Sequence, residues 1–206
     1  MGSKERRQRE KELRRKQILG AARTLLLKKG LGATSISQIA RLSELSVGTI
    51  YFYFNSKEEI FAALQEEGLD ILHGMITEIA ETAADPKDQL RRIALAYLNF
   101  TEENKNYFDV INYFLSSPDI FFAPELKERI DEHGNKILSV VRGIIEEGIR
   151  KRLFREVNAM KHAIVLWSTL HGLIQFKKLR NTILHKANFD ELYLYTVDSY
   201  LKGLLQ

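Results

Sequence analysis

Apolar residues recur at helical spacing in almost every segment of the chain, and alternating strand-type patterns are scarce. Between Lys4 and Lys29 the stripe is Ile18, Ala21, Ala22 and Leu25, ended by Lys28, Lys29 and Gly30 as a basic last turn and a glycine cap. Short helices are expected over Ile36 to Leu42 and from Val47 onward, and a longer one from Ser56 to about Ala83. Asp85-Pro86 opens a helix to about Asn104, and an aromatic-rich helix follows from Asn106 to Ser116. Ser117-Pro118-Asp119 breaks the pattern, and Ile120-Phe121-Phe122 reads as an apolar loop. From Pro124 a helix runs to about Arg152, with Ile130, Ile137, Val140, Val141, Ile144 and Ile145 inward. Asn158 to Arg180 and Asn188 to Leu205 complete the set, Asn188 and Glu191 forming a cap pair. The pattern predicts an all-α chain of about nine helices, with an N-terminal helix-turn-helix and a C-terminal helical domain.

The stretch from Ser35 to Ile60 carries the most information. Ser35 with Gln38 has the spacing of a capping box, and Ile36, Ile39 and Ala40 face inward. Ser46 caps a second short helix whose inward positions are Leu45, Ile50 and Phe54. That leaves Val47, Gly48, Thr49, Phe52 and Tyr53 outside, with Tyr51 at the boundary. A surface helix of hydroxyls, rings and glycine suits a DNA groove, where glycine allows close approach and hydroxyls meet phosphates. Ser56 and Glu59 pair as a further cap; Lys57, a cation unfavourable at a helix N-terminus, reads as a phosphate contact.

T-S-x-x-x-I-A, then L-S-V-G-T-I-Y-x-Y-F, then S-K-E-E-I resembles the TetR family of bacterial transcriptional regulators. Glu44 stands where many members carry a turn glycine, and apolar Val47 where a polar base-reading residue is common. The resemblance implies a DNA-binding domain over residues 1–58, with a basic extension, and an effector-binding and dimerisation domain over 59–206. It assigns DNA contact to Ser35, Ser46, Val47, Gly48, Thr49, Tyr51, Phe52, Tyr53 and Lys57. It implies a homodimer on a palindromic double-stranded operator, usually repressing, and a small-molecule effector that shifts it to a state incompatible with DNA.

Charge supports that division. Residues 1–57 hold 13 Lys/Arg and 4 Asp/Glu, a net +9, whereas the remainder carries −5. Arg6, Arg7, Arg9, Lys11, Arg14, Arg15 and Lys16 are too basic a run to be explained by packing. They read as an arm along the DNA backbone or in the adjacent minor groove, or alternatively as a solvated tail.

With no cysteine, disulfides, Cys-ligated zinc and thiol catalysis are excluded. His73, His133, His162, His171 and His185 lack metal-ligand spacing, and no phosphate loop, nucleophile elbow or carboxylate dyad appears. No enzyme activity, metal or cofactor is expected. Nor is a membrane partner, since no apolar run approaches spanning length; the cytoplasm is the expected compartment.

Trp167 to Leu173 resembles the W-x-x-x-H-G-L stretch of many family members. Trp167, His171 and Gln175 share a helix face, either as an effector-pocket wall or as core and dimer packing. With Tyr97, Phe100, Phe108, Tyr113 and Phe114 they make a candidate lining for a largely apolar effector. Leu166, Leu170, Ile174, Val197, Leu201 and Leu204 are the candidate dimer face, because the last two helices carry more apolar surface than one side uses. The competing reading is a constitutive or architectural DNA-binding protein whose C-terminal domain is purely structural.

Overall fold

The computed structural model describes residues 3–82, 85–116, 122–177, 182 and 188–205. Among these lie nine helices: α1 Ser3–Lys29, α2 Ile36–Leu42, α3 Val47–Tyr53, α4 Lys57–Thr82, α5 Pro86–Glu103, α6 Lys105–Leu115, α7 Pro124–Arg150, α8 Ala159–Phe176 and α9 Phe189–Leu204. The ends fall within a few residues of those expected. α7 stops at Arg150, ahead of Arg152, whose φ of 58° leaves the right-handed helical region. The break at Ser117-Pro118-Asp119, the apolar pair Ile120-Phe121 and the expected helix end at Arg180 lie outside the described residues.

Packing divides the chain into two compact units, Met1–Asp70 with Asn104–Glu132, and Ile71–Glu103 with His133–Gln206. These borders differ from the 1–58 and 59–206 division expected from sequence, because α6 and the first turns of α4 and α7 pack with the N-terminal helices.

In the first unit α1 packs on α2 and α6, and α2 on α3. Its core joins Ile18, Ala22, Leu26, Ile39, Ile50, Phe54, Phe61, Leu64 and Val110, with Phe114 and Phe122 packed against it. Gly30, at φ 80°, ends α1 as the sequence indicates, its N–H bonded to the Leu26 carbonyl at 2.8 Å. α6 is held to this core from two sides. Tyr107 packs 3.1 Å from where a side chain on Gly68 would begin, and the Tyr113 hydroxyl accepts the Leu31 N–H at 3.1 Å.

In the second unit α9 packs on α8 and α5. Buried Tyr193 donates its hydroxyl to the Ala94 carbonyl at 2.7 Å, and Tyr200 donates to the His162 carbonyl at 2.9 Å. Arg91 pairs with Asp198. Phe154, fully buried, lies against Gly148, and its segment pairs with the end of α9 through Arg155 N–H to Leu204 O at 2.9 Å. Asn158 caps α8 by accepting from the Lys161 N–H, whereas Asn188 caps α9 from Asp190 and not from the expected Glu191.

Candidate nucleic-acid interface

The α2–α3 unit is set by its caps. Ser35 accepts from the Gln38 N–H while the Gln38 side chain accepts from the Ser35 N–H, closing the capping box. Ser43 returns its hydroxyl to the Ile39 carbonyl at 2.8 Å, and the Leu45 N–H bonds the Ala40 carbonyl at 2.9 Å. Between them Glu44 takes φ 56°, the left-handed conformation a glycine would adopt without strain. Ser46 then caps α3, accepting the Thr49 N–H at 3.0 Å, with its hydroxyl 2.8 Å from that of Thr49.

Ile50 is fully buried and Phe54 nearly so, which turns the other side of α3 outward. Val47, Gly48, Tyr51 and Phe52 are exposed there, Tyr51 at 52 % and Phe52 at 79 %. An exposed tyrosine and phenylalanine stand side by side on one turn, outside the core. They leave an apolar, hydroxyl-edged ridge with Gly48 as its low point.

Two of the expected contact residues are placed differently. Tyr53 is half-buried against the core, its ring edge-on to Phe52 at 5.2 Å, so it supports the ridge from beneath. Lys57 is half-buried, and its ammonium donates to the Leu31 carbonyl at 3.2 Å. It therefore ties the start of α4 to the end of α1, with further donor capacity left for a phosphate. Ser56 accepts the Glu59 N–H at 3.1 Å, and the Glu59 carboxylate accepts from Asn55 at 2.7 Å. One residue of the basic run at the start of α1 also reaches this site. Arg15 lies over the Phe54 ring, 4.5 Å from its centroid, placing a cation at the C-terminal end of α3.

The residues expected to line an effector site separate by unit. Tyr97, Phe100, Trp167, His171 and Gln175 belong to the second unit; Phe108 and Tyr113 belong to the first, Tyr113 bound to Leu31. In the second unit the rings of Tyr97 and Trp167 lie 4.5 Å apart, and the Tyr97 hydroxyl lies 2.7 Å from His171 Nδ1. Burial holds the tyrosine proton on far above the usual range and pushes the imidazole below its usual value, so the two groups share a hydrogen bond between neutral partners. The Gln175 amide lies 3.5 Å from Nε2. A separate open groove of about 450 Å³ runs between α4 and α5, lined by Met75, Glu78, Ile79, Arg92 and Ala96.

The candidate dimer face requires correction. Leu166, Leu170, Ile174, Val197, Leu201 and Leu204 are all buried within the single chain, forming the α8 and α9 sides of its own core. Helical periodicity identifies a buried stripe without saying whether the chain itself or a second copy covers it. The apolar side chains left exposed on these helices are Ile164, Val165, Phe176 and Tyr195. Among the described residues no His/Asp/Glu group is arranged to hold a metal ion, and no helix is long and apolar enough to cross a membrane.

This geometry belongs to a helix-turn-helix transcription regulator. Residues 18–64 match the family "Bacterial regulatory proteins, tetR family", and residues 90–200 match "Tetracyclin repressor-like, C-terminal domain". The chain is a member of the TetR family of transcriptional regulators, not an enzyme. It is 26% identical over 140 residues to the Fatty acid metabolism regulator protein of Bacillus subtilis, covering 68% of this chain and 70% of that protein. Among solved structures it is similar to the TetR family regulator PfmR from Thermus thermophilus, with 27% identity, a TM-score of 0.71, and 92% and 99% of the two chains covered. The fold is also shared with FadR from Bacillus subtilis in complex with stearoyl-CoA, at 22% identity and a TM-score of 0.77, covering 91% and 98%.

Proposed function

We propose that the chain is a ligand-responsive repressor that binds a palindromic operator as a homodimer and leaves it when a largely apolar effector binds. The observation that carries the DNA half is the outward face of α3, where Val47, Gly48, Tyr51 and Phe52 are all exposed. Val47, Gly48, Thr49 and Phe52 meet base edges, with Val47 or Phe52 against thymine methyl groups. Ser35, Ser46, Tyr51 and Lys57 serve phosphates, Tyr53 backs the ridge, and residues 1–58 constitute the reading part. A second copy covers Ile164, Val165 and Tyr195, because one seven-residue reading helix contacts too few bases for specificity by itself. The test is enrichment of duplexes from a random pool by the full chain, followed by Val47→Ala and Phe52→Ala. Each substitution is expected to change which sequences are enriched; an unchanged preference for both sinks the assignment.

For the effector, the polar handles are His171 and Gln175 beside the Tyr97–Trp167 pair, within residues 59–206. A relative named for fatty acid metabolism and a shared fold holding stearoyl-CoA support a ligand with a long apolar chain. Incubation with stearoyl-CoA is expected to raise the melting temperature and release the enriched duplex, whereas coenzyme A alone does neither. Trp167→Ala is expected to retain duplex binding and lose that release. The close packing of Tyr97 on Trp167 favours one rival, a constitutive DNA binder with a structural C-terminal part; duplex release by no acyl chain length selects it.

A further inference from the structure

Helix α1 turns Ile18, Ala21, Ala22 and Leu25 into the core of the first unit, so its opposite face has no packing task within the chain. That face still carries apolar side chains. Leu13 and Leu27 are both exposed, and Leu42, at the end of α2, is exposed as well. Gly20 lies between the two α1 leucines, seven residues from each. Seven residues fall only about 20° short of two helical turns, so Leu13, Gly20 and Leu27 follow one line along the helix.

Gly20 is unfavourable where it stands. A glycine inside a helix costs about 0.5–1 kcal/mol relative to alanine. Nothing lies within 4 Å of the place a Cβ would take, so no neighbour in the chain requires its absence. Gly20 lines an open groove of about 370 Å³ between α1 and the end of α2, together with Ala21, Thr24 and Leu42. Thr24 donates its hydroxyl to the Gly20 carbonyl at 2.9 Å, so that polar group is satisfied within the helix. Lys16 and Glu44 border the same groove, and neither forms an ion pair among the described residues.

The face is symmetrical about its glycine, which selects a particular occupant. An antiparallel pair of α1 helices, related by a two-fold axis at Gly20, sets Leu13 of one copy on Leu27 of the other, twice over. The two glycines at the crossing allow the backbones to approach closely. Each groove has one basic and one acidic border, so a second copy is complementary in charge as well as in register.

We infer that the outer face of α1 is a self-contact through which copies bound side by side on DNA hold one another, separate from the α8 and α9 surface. The DNA-binding reading above supplies the place where these copies meet. Two leucines and a shallow groove fall well short of the about 800 Å² per partner that holds a standard complex. Free chains are therefore not joined by it. The contact takes effect when DNA holds two copies next to each other, at an effective concentration of about the millimolar range. A homodimer presents the face on both of its chains, so it can be flanked on either side.

The first test uses the full chain and duplexes carrying one or two copies of the site that it enriches from a random pool. The spacing between the two sites is varied across about 10 bp, roughly one helical turn. At the best spacing, fluorescence anisotropy is expected to show the second site filled about tenfold or more tightly than the first. L13Q/L27Q and, separately, G20Q are expected to bring that factor below about two, with single-site affinity kept within about twofold. L115Q, which removes an exposed leucine on α6, is expected to keep the factor. G20Q is also expected to raise the melting temperature, since glutamine is the better helix former and has open space there. Loss of cooperativity is thereby separated from loss of fold.

The second test needs no DNA. The chain has no cysteine, so L13C/L27C carries only introduced thiols, about 21 Å apart along one helix and unable to pair within it. Mild oxidation at high protein concentration is expected to give covalent dimers from L13C/L27C and from a mixture of L13C with L27C, and not from either single variant alone. Independent filling of the two sites at every spacing overturns the contact while leaving the reading helix in place. An L115Q protein that loses as much cooperativity as L13Q/L27Q reduces the effect to general stickiness and overturns it too. Single variants that cross-link as readily as the mixture overturn the two-fold register. A wild-type chain that enriches no duplex overturns the DNA reading, and the cross-linking then decides the self-contact by itself.

Discussion

Replacing Leu201 by Glu and, separately, Tyr195 by Glu distinguishes the core of the second unit from the surface that a second copy would cover. Both residues lie on α9, six positions apart and on different faces, Leu201 at 1 % exposure and Tyr195 at 70 %. At Leu201 the substitution forfeits the burial of a leucine side chain, about 1.5–3 kcal/mol. It also places a carboxyl group among Tyr193, Val197 and Leu204 with no partner, which costs several kcal/mol more even when the group remains protonated. The total is comparable with the about 5–15 kcal/mol that holds a domain of this kind together. At Tyr195 the carboxylate stays in water, and the chain's own stability changes by about 0.5 kcal/mol or less. Far-UV circular dichroism with thermal melting, and sedimentation velocity, read the two outcomes. Leu201→Glu is expected to lose its cooperative melt or lower it sharply. Tyr195→Glu, combined with Ile164→Glu, is expected to melt almost unchanged as an isolated chain and to sediment as a monomer. A Leu201→Glu protein that is monomeric yet melts like the wild type would refute the reasoning, because it would place Leu201 at the interface and not in the core.

Gly148→Ala is expected to cost about 1–3 kcal/mol in denaturant melts, because the added methyl overlaps the fully buried Phe154 ring; Gly143→Ala, on the same helix in open space, is the control that should not. Glu44→Gly is expected to stabilise the chain by up to about 1 kcal/mol, relief of the left-handed backbone outweighing glycine's extra freedom when unfolded, and a lower melting temperature would contradict this. Lys57→Ala is expected to weaken all duplexes alike and flatten the salt slope by about one; it should also lower the melting temperature, through loss of the bond to Leu31. Burial keeps the folded His171 imidazole below its ordinary value of about 6.5, so the unfolded chain binds the proton first as pH falls. Stability is therefore full above that value and declines below it until the folded value is passed, and His171→Gln should flatten the decline.

The helices were legible because their signals are local. Ser35, Ser46 and Asn158 each satisfy an orphan N–H within three residues, and Gly30 takes the positive φ that ends α1. The outward set on α3, Tyr53 excepted, was legible for the same reason, since Ile50 and Phe54 fix which side is in. What failed to show in the sequence depends on partners distant along the chain. Tyr113 reads as one more pocket aromatic until its hydroxyl is found on Leu31, 82 positions away. Lys57 reads as a free phosphate contact until its ammonium is found on the carbonyl of the same residue. Leu31 is itself buried and lies beyond the last turn of α1, where its N–H has no helical partner while its carbonyl accepts the Thr34 N–H at 3.2 Å. A buried N–H left without a partner is costly, so α6 supplies its acceptor, and α4 adds a second donor to the carbonyl. One residue thereby carries both attachments: α6 holds its amide and the first residue of α4 holds its carbonyl. A displacement of α6 in this unit acts on the same residue that positions the Lys57 ammonium, without passing through the reading helix.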